Sequence, residues 1–533
     1  MTIVECARID RGWRRRVLTA ALVVPALLVA GCSGSGGTSS SASSTPKPAE
    51  PSTVTKEVPE LVSSMQATVT GIDPMKTIFQ QNVWVLHLVG GTLFSFVPGA
   101  VSDTTPALAD SGSLSSDGMT ATIKLKSGLK FSNGAPLTSA DVVGTFQHDL
   151  AQPGTPGASY FANIAAVSAP DDSTVVIQYK TPNPQYQVDL SLFPFTIVPN
   201  GSWDAPDFAT TLVSAGPYVV QGDMTGNAVV LTRNPDYAGP KPAVAKLTFQ
   251  VVADASAALN ELQTGQINFD SQLPPVNVAT LPDSLTAGNV EPWLISMLSF
   301  NQTDPLLSDP KIRQAIGFAL DRTQLNEVGQ SGQGDPWGSE FSPNFSLSDK
   351  DFPPPFPLTP DLDKAKQLLQ GTACATGCSF SVNAITGTTA NKYATVAQQQ
   401  LAKIGITLQV VALDPNTYNQ RNLAGQYQSL MVAGGAFSGS AALNLTLNPQ
   451  GPTKAMFSHY DSPDMVAAIG AANSALGTDK QTDALKDVAK LYEGNYPWVP
   501  IATAPFIWAS DKKATGNLFF SPTGLPDVPT LNG

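Results

Sequence analysis

Residues 116–146, reading SDGMTATIKLKSGLKFSNGAPLTSADVVGTF, leave little freedom in how they fold. Ala121, Ile123 and Leu125 alternate with Thr122, Lys124 and Lys126, the period of two that a strand with one buried face requires. Asn133-Gly134 supplies a tight turn, since both residues tolerate positive φ. After Pro136, Thr138 is placed to cap a helix, with Asp141 three residues on in the acidic variant of a capping box. Leu137 and Val142 fall at the flanking positions that pack as a hydrophobic staple. The stretch predicts strand, turn and capped helix.

The rest of the chain repeats this mixed α/β grammar. Residues 80–93 read as a helix with Val83, Leu86, Val89 and Leu93 on one face, and His87 within it reads as structural. Residues 173–179 and 246–252 read as strands, and the prolines of 182–199 punctuate a domain boundary. A Gly-rich turn at 222–227 separates a strand pair. Residues 255–263 form a helix that Gly265 ends in the left-handed conformation. Asp309-Pro310 opens another, with Ile312, Ala315, Ile316, Ala319 and Leu320 on one side. Further helices are expected over 361–370 (capped by Thr359-Pro360), 390–404, 462–476 and 480–492, with strands over 406–411, 497–501 and 506–509.

The N-terminus carries an address. Arg8, Arg11, Arg14, Arg15 and Arg16 precede an apolar run over 17–30 that is too short for a permanent membrane span. It ends Val29-Ala30-Gly31-Cys32, small residues directly before a cysteine. Residues 1–31 are therefore expected to be a lipoprotein signal peptide, with Cys32 the site of lipid attachment, palmitate included. Residues 32–51 would be the lipidated cysteine and a flexible Ser/Gly/Thr/Pro-rich tether reaching roughly 25 Å. This places the protein on the outer, extracytoplasmic face of the cell membrane, held by acyl chains.

Without residues 1–31 the chain loses five Arg and two acidic residues, leaving 25 basic against 40 acidic side chains and a formal charge of −15. Such acidity argues against nucleic acid as a partner. Of four cysteines, only Cys374 and Cys378 then remain, in a CATGC loop. In an oxidising compartment this pair reads as a small disulfide. A metal or redox site is the competing reading, disfavoured because no histidine lies near and the motif lacks a second ligand pair.

Several landmarks resemble one known family. PALAD at 106–110, then S-D-G and K-x-x-x-x-L-K-F-S-N-G-x-P-L-T-S-A-D-V-V, is similar to the signature of the family 5 extracytoplasmic solute-binding proteins, the peptide, dipeptide and nickel receptors of ABC importers. The I-D-P of Ile72-Asp73-Pro74, the G-P-Y of Gly216-Pro217-Tyr218 and the R-N-P-x-Y of Arg233–Tyr237 resemble further family landmarks, although Ala238 stands where an aromatic is common. The F-N…D-P-x-V-R-x-A…A-x-D-R block is matched with Arg313, Asp321 and Arg322 in place.

The resemblance implies an α/β, two-lobed periplasmic-binding-protein-like fold with a hinge and an extra inserted subdomain. Lobe I would combine 52–95, 205–295 and 498–533, the inserted subdomain would be 96–204, and lobe II would be 296–497. Ligand would be trapped between lobes by hinge closure. It also implies a monomeric receptor that captures a peptide or peptide-like ligand and passes it to an ABC permease. No catalytic motif stands against this reading: H-E-x-x-H, G-x-S-x-G, the P-loop and G-x-G-x-x-G are absent, and His87, His148 and His459 are scattered. No enzyme, cofactor or metal is expected.

For ligand contact, the resemblance and the pattern single out Asn82, Val83, Trp293, Ser296, Met297, Gly434, Gly435, Phe437 and Ser438. In peptide-binding relatives a second-lobe aspartate pairs with the peptide's ammonium group. Here the matching segment, 427–443, has glycine in place of tryptophan and Phe437 or Ser438 in place of aspartate. No Asp or Glu occurs between Pro415 and Tyr460. Either the amine is held from elsewhere, or the cleft selects no free N-terminus and suits an extended apolar peptide with a blocked end, an oligosaccharide or a lipid-linked glycan. The alternative function is a non-transport lipoprotein on the same fold that binds a cell-envelope glycan or lipid or regulates an envelope partner.

Overall fold

The computed structural model describes residues 57–77, 80–97, 103–222, 224, 226–289, 294–341, 350–434 and 458–511. The chain starts with β1 (Val58–Met65) and α1 (Gln80–Val89). This helix stops short of Leu93 because two glycines follow. A Cβ at Gly90 would lie 2.6 Å from Thr196 Oγ1 and 2.7 Å from the Leu86 carbonyl, and Gly91 bridges to Ile197 instead of continuing the turn.

An inserted subdomain comes next. It holds a small pair, β2 (Phe94–Phe96) with β3 (Thr104–Pro106), and four antiparallel strands. These are β4 (Ala109–Leu114), β5 (Thr120–Leu125), β6 (Ile164–Asp171) and β7 (Thr174–Tyr179), ordered β4-β5-β7-β6, with α2 (Ser139–Leu150) packed against them. Ala121 and Ile123 are fully buried, as the alternation of β5 requires. Only Gly134 of the turn takes positive φ, at 81°. Asn133 acts through its side chain, Oδ1 accepting the Ala135 N–H at 3.1 Å. At the cap, the Thr138 N–H donates to Asp141 Oδ2 at 2.9 Å, and Leu137 and Val142 are buried beside it.

Lobe I resumes with β8 (Tyr218–Gln221), β9 (Ala228–Arg233), β10 (Val244–Val251), α3 (Ala255–Thr264), β11 (Phe269–Asp270) and β12 (Leu285–Asn289). Lobe II contains β13 (Ile295–Phe300), α4 (Pro310–Ala319), α5 (Arg322–Gln330), α6 (Leu362–Leu369), β14 (Cys378–Ile385), α7 (Thr389–Ala402), β15 (Ile406–Leu413), α8 (Pro415–Leu423), β16 (Ser429–Gly434), α9 (Pro463–Ser474), α10 (Thr478–Asn495) and β17 (Trp498–Thr503). The chain then returns to lobe I as β18 (Ile507–Asp511). The lobe I sheet has seven strands, β12-β18-β11-β1-β10-β9-β8, and the lobe II sheet five, β15-β14-β16-β13-β17.

This places one boundary differently from the sequence reading. Residues 498–503, expected in lobe I, pair as β17 with β13 inside the five-stranded sheet. The crossing back begins only at Ala504. All six residues of β17 are buried, so the segment carries no polar face to say which sheet it joins.

The family landmarks turn out to be fasteners. Asn234 donates from its side chain to the Gly216 carbonyl at 2.8 Å and from its backbone to Pro217 at 2.9 Å. Tyr218 donates its hydroxyl to the Val244 carbonyl at 2.9 Å, locking β8 to the far side of β9. Arg313 and Arg322 are fully buried in lobe II. Arg313 donates to the carbonyls of Leu307, Asn495 and Tyr496, and so closes the C-terminus of α10. Arg322 donates to the carbonyls of Pro500, Gly317 and Pro357. Burial pulls their pKa values down, to about 10 and about 9, which leaves both protonated at neutral pH. At α6 the cap is Asp361, whose Oδ1 accepts the Lys364 N–H at 2.9 Å, and not the preceding Thr359.

Cys374 and Cys378 are joined by a disulfide, with their Cα atoms 4.8 Å apart. It closes a short loop just ahead of β14. Chain-entropy arguments give such a loop about 2 kcal/mol. Replacing both cysteines by serine should lower the urea-unfolding free energy by that amount and leave ligand affinity unchanged. No change in the midpoint of the oxidised protein would show that the bond is energetically idle.

Candidate functional site

The two lobes are joined by two adjacent crossings. On the lobe I side, Asn289 of β12 stands opposite Ile507 of β18. On the lobe II side, Ile295 of β13 stands opposite Thr503 of β17. Between these pairs the Ala504 N–H donates to the Leu294 carbonyl at 2.9 Å. Leu294 and Ala504 thus lie side by side where the chain leaves the lobe II sheet, as Asn289 and Ile507 do at the lobe I sheet, so the two connections between the lobes start and end next to each other.

Sequence-predicted residues lie on both sides of it. Ser296 and Met297 follow directly on β13, and Gly434 ends β16 opposite Ile295. These three come together at the hinge end of the lobe II sheet. The β13·β17 register shifts between Ser296 and Met297, where the partner strand carries Pro500, which has no N–H for the ladder. Met297 is fully buried and packs in the lobe II core. Asn82 and Val83 sit on α1 in lobe I, 4% and 7% exposed. The Asn82 amide is used internally: Nδ2 donates to Thr70 Oγ1 at 3.1 Å and Oδ1 accepts the Thr70 N–H at 3.3 Å. It anchors the segment leaving β1. Trp293, Gly435, Phe437 and Ser438 lie outside the described residues, as does Cys32.

Two polar clusters near the hinge escaped sequence reading. In lobe II, Gln330 Nε2 donates to Tyr393 Oη and to the Thr503 carbonyl, both at 2.7 Å. Asn326 Nδ2 donates to the Gly334 carbonyl at 2.7 Å. The backbone of Asp335 exchanges two bonds with Thr503, N–H to Oγ1 at 2.8 Å and carbonyl from the Thr503 N–H at 2.9 Å. Burial raises the Tyr393 pKa against the bonds from Gln330 and Ser296, so Tyr393 stays a neutral hydrogen-bonding group. The network fixes the end of β17 from which the chain enters the hinge.

In lobe I, Ser64 at the end of β1 donates its hydroxyl to Asp270 Oδ1 at 2.7 Å. Ser271 Oγ donates to the Ser64 carbonyl at 3.2 Å, and Gln272 Nε2 to Gln80 Oε1 at 2.8 Å. Burial raises the Asp270 pKa, opposed by its bonds from Ser64 and the Gln272 backbone. Sequence gives little signal for this cluster, because Asp270 lies in the mixed run INFDSQL of 267–273, where Asn268, Ser271 and Gln272 are polar as well.

One further contact reaches across from the inserted subdomain. Gly118, in the turn between β4 and β5, has φ +74°, and a Cβ there would lie 2.8 Å from Pro182 and 3.0 Å from Leu476. Leu476 follows α9, so the tip of the β4–β5 hairpin touches lobe II. The surface groove lined by Val143, His148, Asn200 and Trp203 lies on the inserted subdomain, away from the hinge. Among the described residues no cluster of three or more His, Cys, Asp or Glu is poised to hold a metal ion, and no helix is long and apolar enough to cross a membrane.

Two lobes joined by neighbouring connections, with polar groups at the adjoining ends of both sheets, are the architecture of a solute-binding protein. The chain belongs to the bacterial extracellular solute-binding proteins of family 5, whose profile matches residues 103–454. Proteins of this family serve ABC importers and are binding proteins, not enzymes. A putative ABC transporter peptide-binding protein of Brucella ovis is 29% identical over 424 residues, 73% of this chain and 77% of the relative. The glutathione-binding protein of Pectobacterium atrosepticum is 26% identical over 486 residues, 86% of this chain and 91% of the relative. In fold, the periplasmic binding protein DppA of Helicobacter pylori, solved with the peptide STSA, superposes with a TM-score of 0.78 at 21% identity, covering 89% of this chain and 97% of that one.

Proposed function

We propose that this protein captures a peptide or peptide-like solute between its lobes and delivers it to the membrane-spanning subunits of an ABC importer. The observation that carries the reading is the paired crossing of β12–β13 and β17–β18. In this reading the lobes turn about that pair of connections, with Ser296 and Gly434 on the lobe II side and Asp270 on the lobe I side. The relatives' own ligands, peptides and glutathione, support that ligand class. In this reading the protein is a monomer held outside the membrane by a lipid on Cys32, and the residues before about 52 act as its tether. Trp293, Ser296, Gly434, Gly435, Phe437 and Ser438 contribute the lobe II wall, with Asn82 and Val83 shaping lobe I.

A second reading is favoured by one observation, the lack of any acidic residue between Pro415 and Tyr460. In that case the fold serves an envelope glycan or lipid and no importer. Mass spectrometry of a denatured extract of purified residues 33–533 separates the two. Mixed short peptides are the expected result. Glycans or lipids in their place would overturn the importer reading.

A further inference from the structure

β1 and β11 run parallel with Ser63 opposite Phe269, which places Ser64 and Asp270 side by side on the other face of the sheet. Asp270 is 2% exposed. Its Oδ1 accepts the Ser64 hydroxyl at 2.7 Å and the Gln272 N–H at 3.2 Å. Its Oδ2 is buried and has no hydrogen-bond partner. A buried carboxylate oxygen left unpaired is unfavourable, and buried charges are ordinarily paired with an opposite charge. No basic side chain among the described residues does so here: burial raises this carboxyl's pKa, and its two hydrogen bonds oppose that.

The location gives this vacancy a use. Asp270 stands opposite Ala509 on β18, two residues past the Ile507 at which the chain enters lobe I from the hinge. The Leu273 N–H donates to the Ile507 carbonyl at 2.9 Å, so the segment after Asp270 is tied to the hinge exit. The carboxyl ends of β1 and β11 meet here, and the crevice outside the carboxyl ends of strands is where open α/β sheets take their ligands. The neighbouring side chains, Ser64, Ser271, Gln272 and Gln80, are all neutral hydrogen-bonding groups. Lobe II offers no acidic residue between Pro415 and Tyr460 to perform the same task.

We propose that Asp270, on lobe I, is the anionic contact for the free ammonium group of this protein's ligand, which pairs with Oδ2 when the lobes close. The assignment rests on the peptide-receptor reading above and specifies which end of the solute the protein selects. Ser64 and the Gln272 N–H hold the carboxylate in place through Oδ1, leaving the second oxygen for the ligand.

The test is equilibrium dialysis of the purified protein against a random pool of tri- to pentapeptides, half of it N-acetylated with a mass label, read by mass spectrometry of the retained fraction. The wild-type protein should retain free-amine peptides over acetylated ones by about tenfold or more, the scale of one charge-assisted bond. Asp270→Asn, of equal size and checked for an unchanged thermal transition, should bring the ratio close to unity while still retaining acetylated peptides. Equal retention of both forms by the wild type would overturn the assignment of Asp270 on its own, whether or not the variant folds. A preference that survives in Asp270→Asn would overturn it too. Retention of neither form would instead overturn the peptide-receptor reading, and the assignment with it.

Discussion

Arg313→Ala should lower the unfolding free energy of the protein by about 4 kcal/mol, enough to leave much of it unfolded on expression. The guanidinium is fully buried and donates to the carbonyls of Leu307, Asn495 and Tyr496. Alanine leaves the buried carbonyls of Leu307 and Tyr496 and the half-buried one of Asn495 without this donor, at about 1–3 kcal/mol for each buried one, and opens a cavity where the stem packed. Arg313→Lys retains the charge but one donor position in place of a fork, so it should recover only part of the loss. Urea unfolding followed by tryptophan fluorescence reads the effect. A loss below about 1 kcal/mol for the alanine variant would mean that water or backbone adjustment satisfies those carbonyls.

Asp149→Asn should do the opposite and stabilise the protein at neutral and alkaline pH. Asp149 lies in the last turn of α2 and is 6% exposed. Burial, with Asp73 nearby adding like charge, pushes its carboxyl up to about 8. A carboxyl whose folded pKa exceeds its unfolded value of 3.8 favours folding fully below about pH 4 and loses that contribution as pH rises toward 8. At about 1.36 kcal/mol for each pH unit, the loss accumulated by pH 8 is on the order of 5 kcal/mol. Asparagine has the same shape and does not ionise. The variant should gain about 2–4 kcal/mol over the wild type at pH 8 and nothing at pH 4. Equal gains at both pH values, or a loss at pH 8, would show that the carboxyl is not held neutral.

Much of the architecture is written locally. The alternation of β5, the Thr138–Asp141 cap and the buried face of α4 were each fixed by residues within one turn or one strand of each other. The errors fell where the deciding partner is distant. Nothing inside residues 498–503 says that they pair with β13, because every side chain of that strand is buried whichever sheet it enters. The end of α1 was set by Thr196 packing against Gly90 and by Ile197 pairing with Gly91, both from the inserted subdomain. The site followed the same rule. Ser296 was legible because it stands next to a crossing between lobes, whereas Asp270 sits on a two-residue strand and meets Ser64 across a separation of 206 residues. Asn82 was legible as a position but not as a role, since its amide turns inward to Thr70.

The placement of β18 constrains how the protein reaches its working form. This strand lies between β12 and β11, so β12 joins the seven-stranded sheet only through it. Lobe I therefore stays an incomplete sheet until the segment from Ile507 has been delivered, however early β1 and α1 emerge. Loop closure over so long a separation is slow compared with local folding, so completing this sheet is a late step in folding. A protease cut or stop just before Ile507 would therefore leave β12 unpaired and disable a lobe most of whose residues are intact.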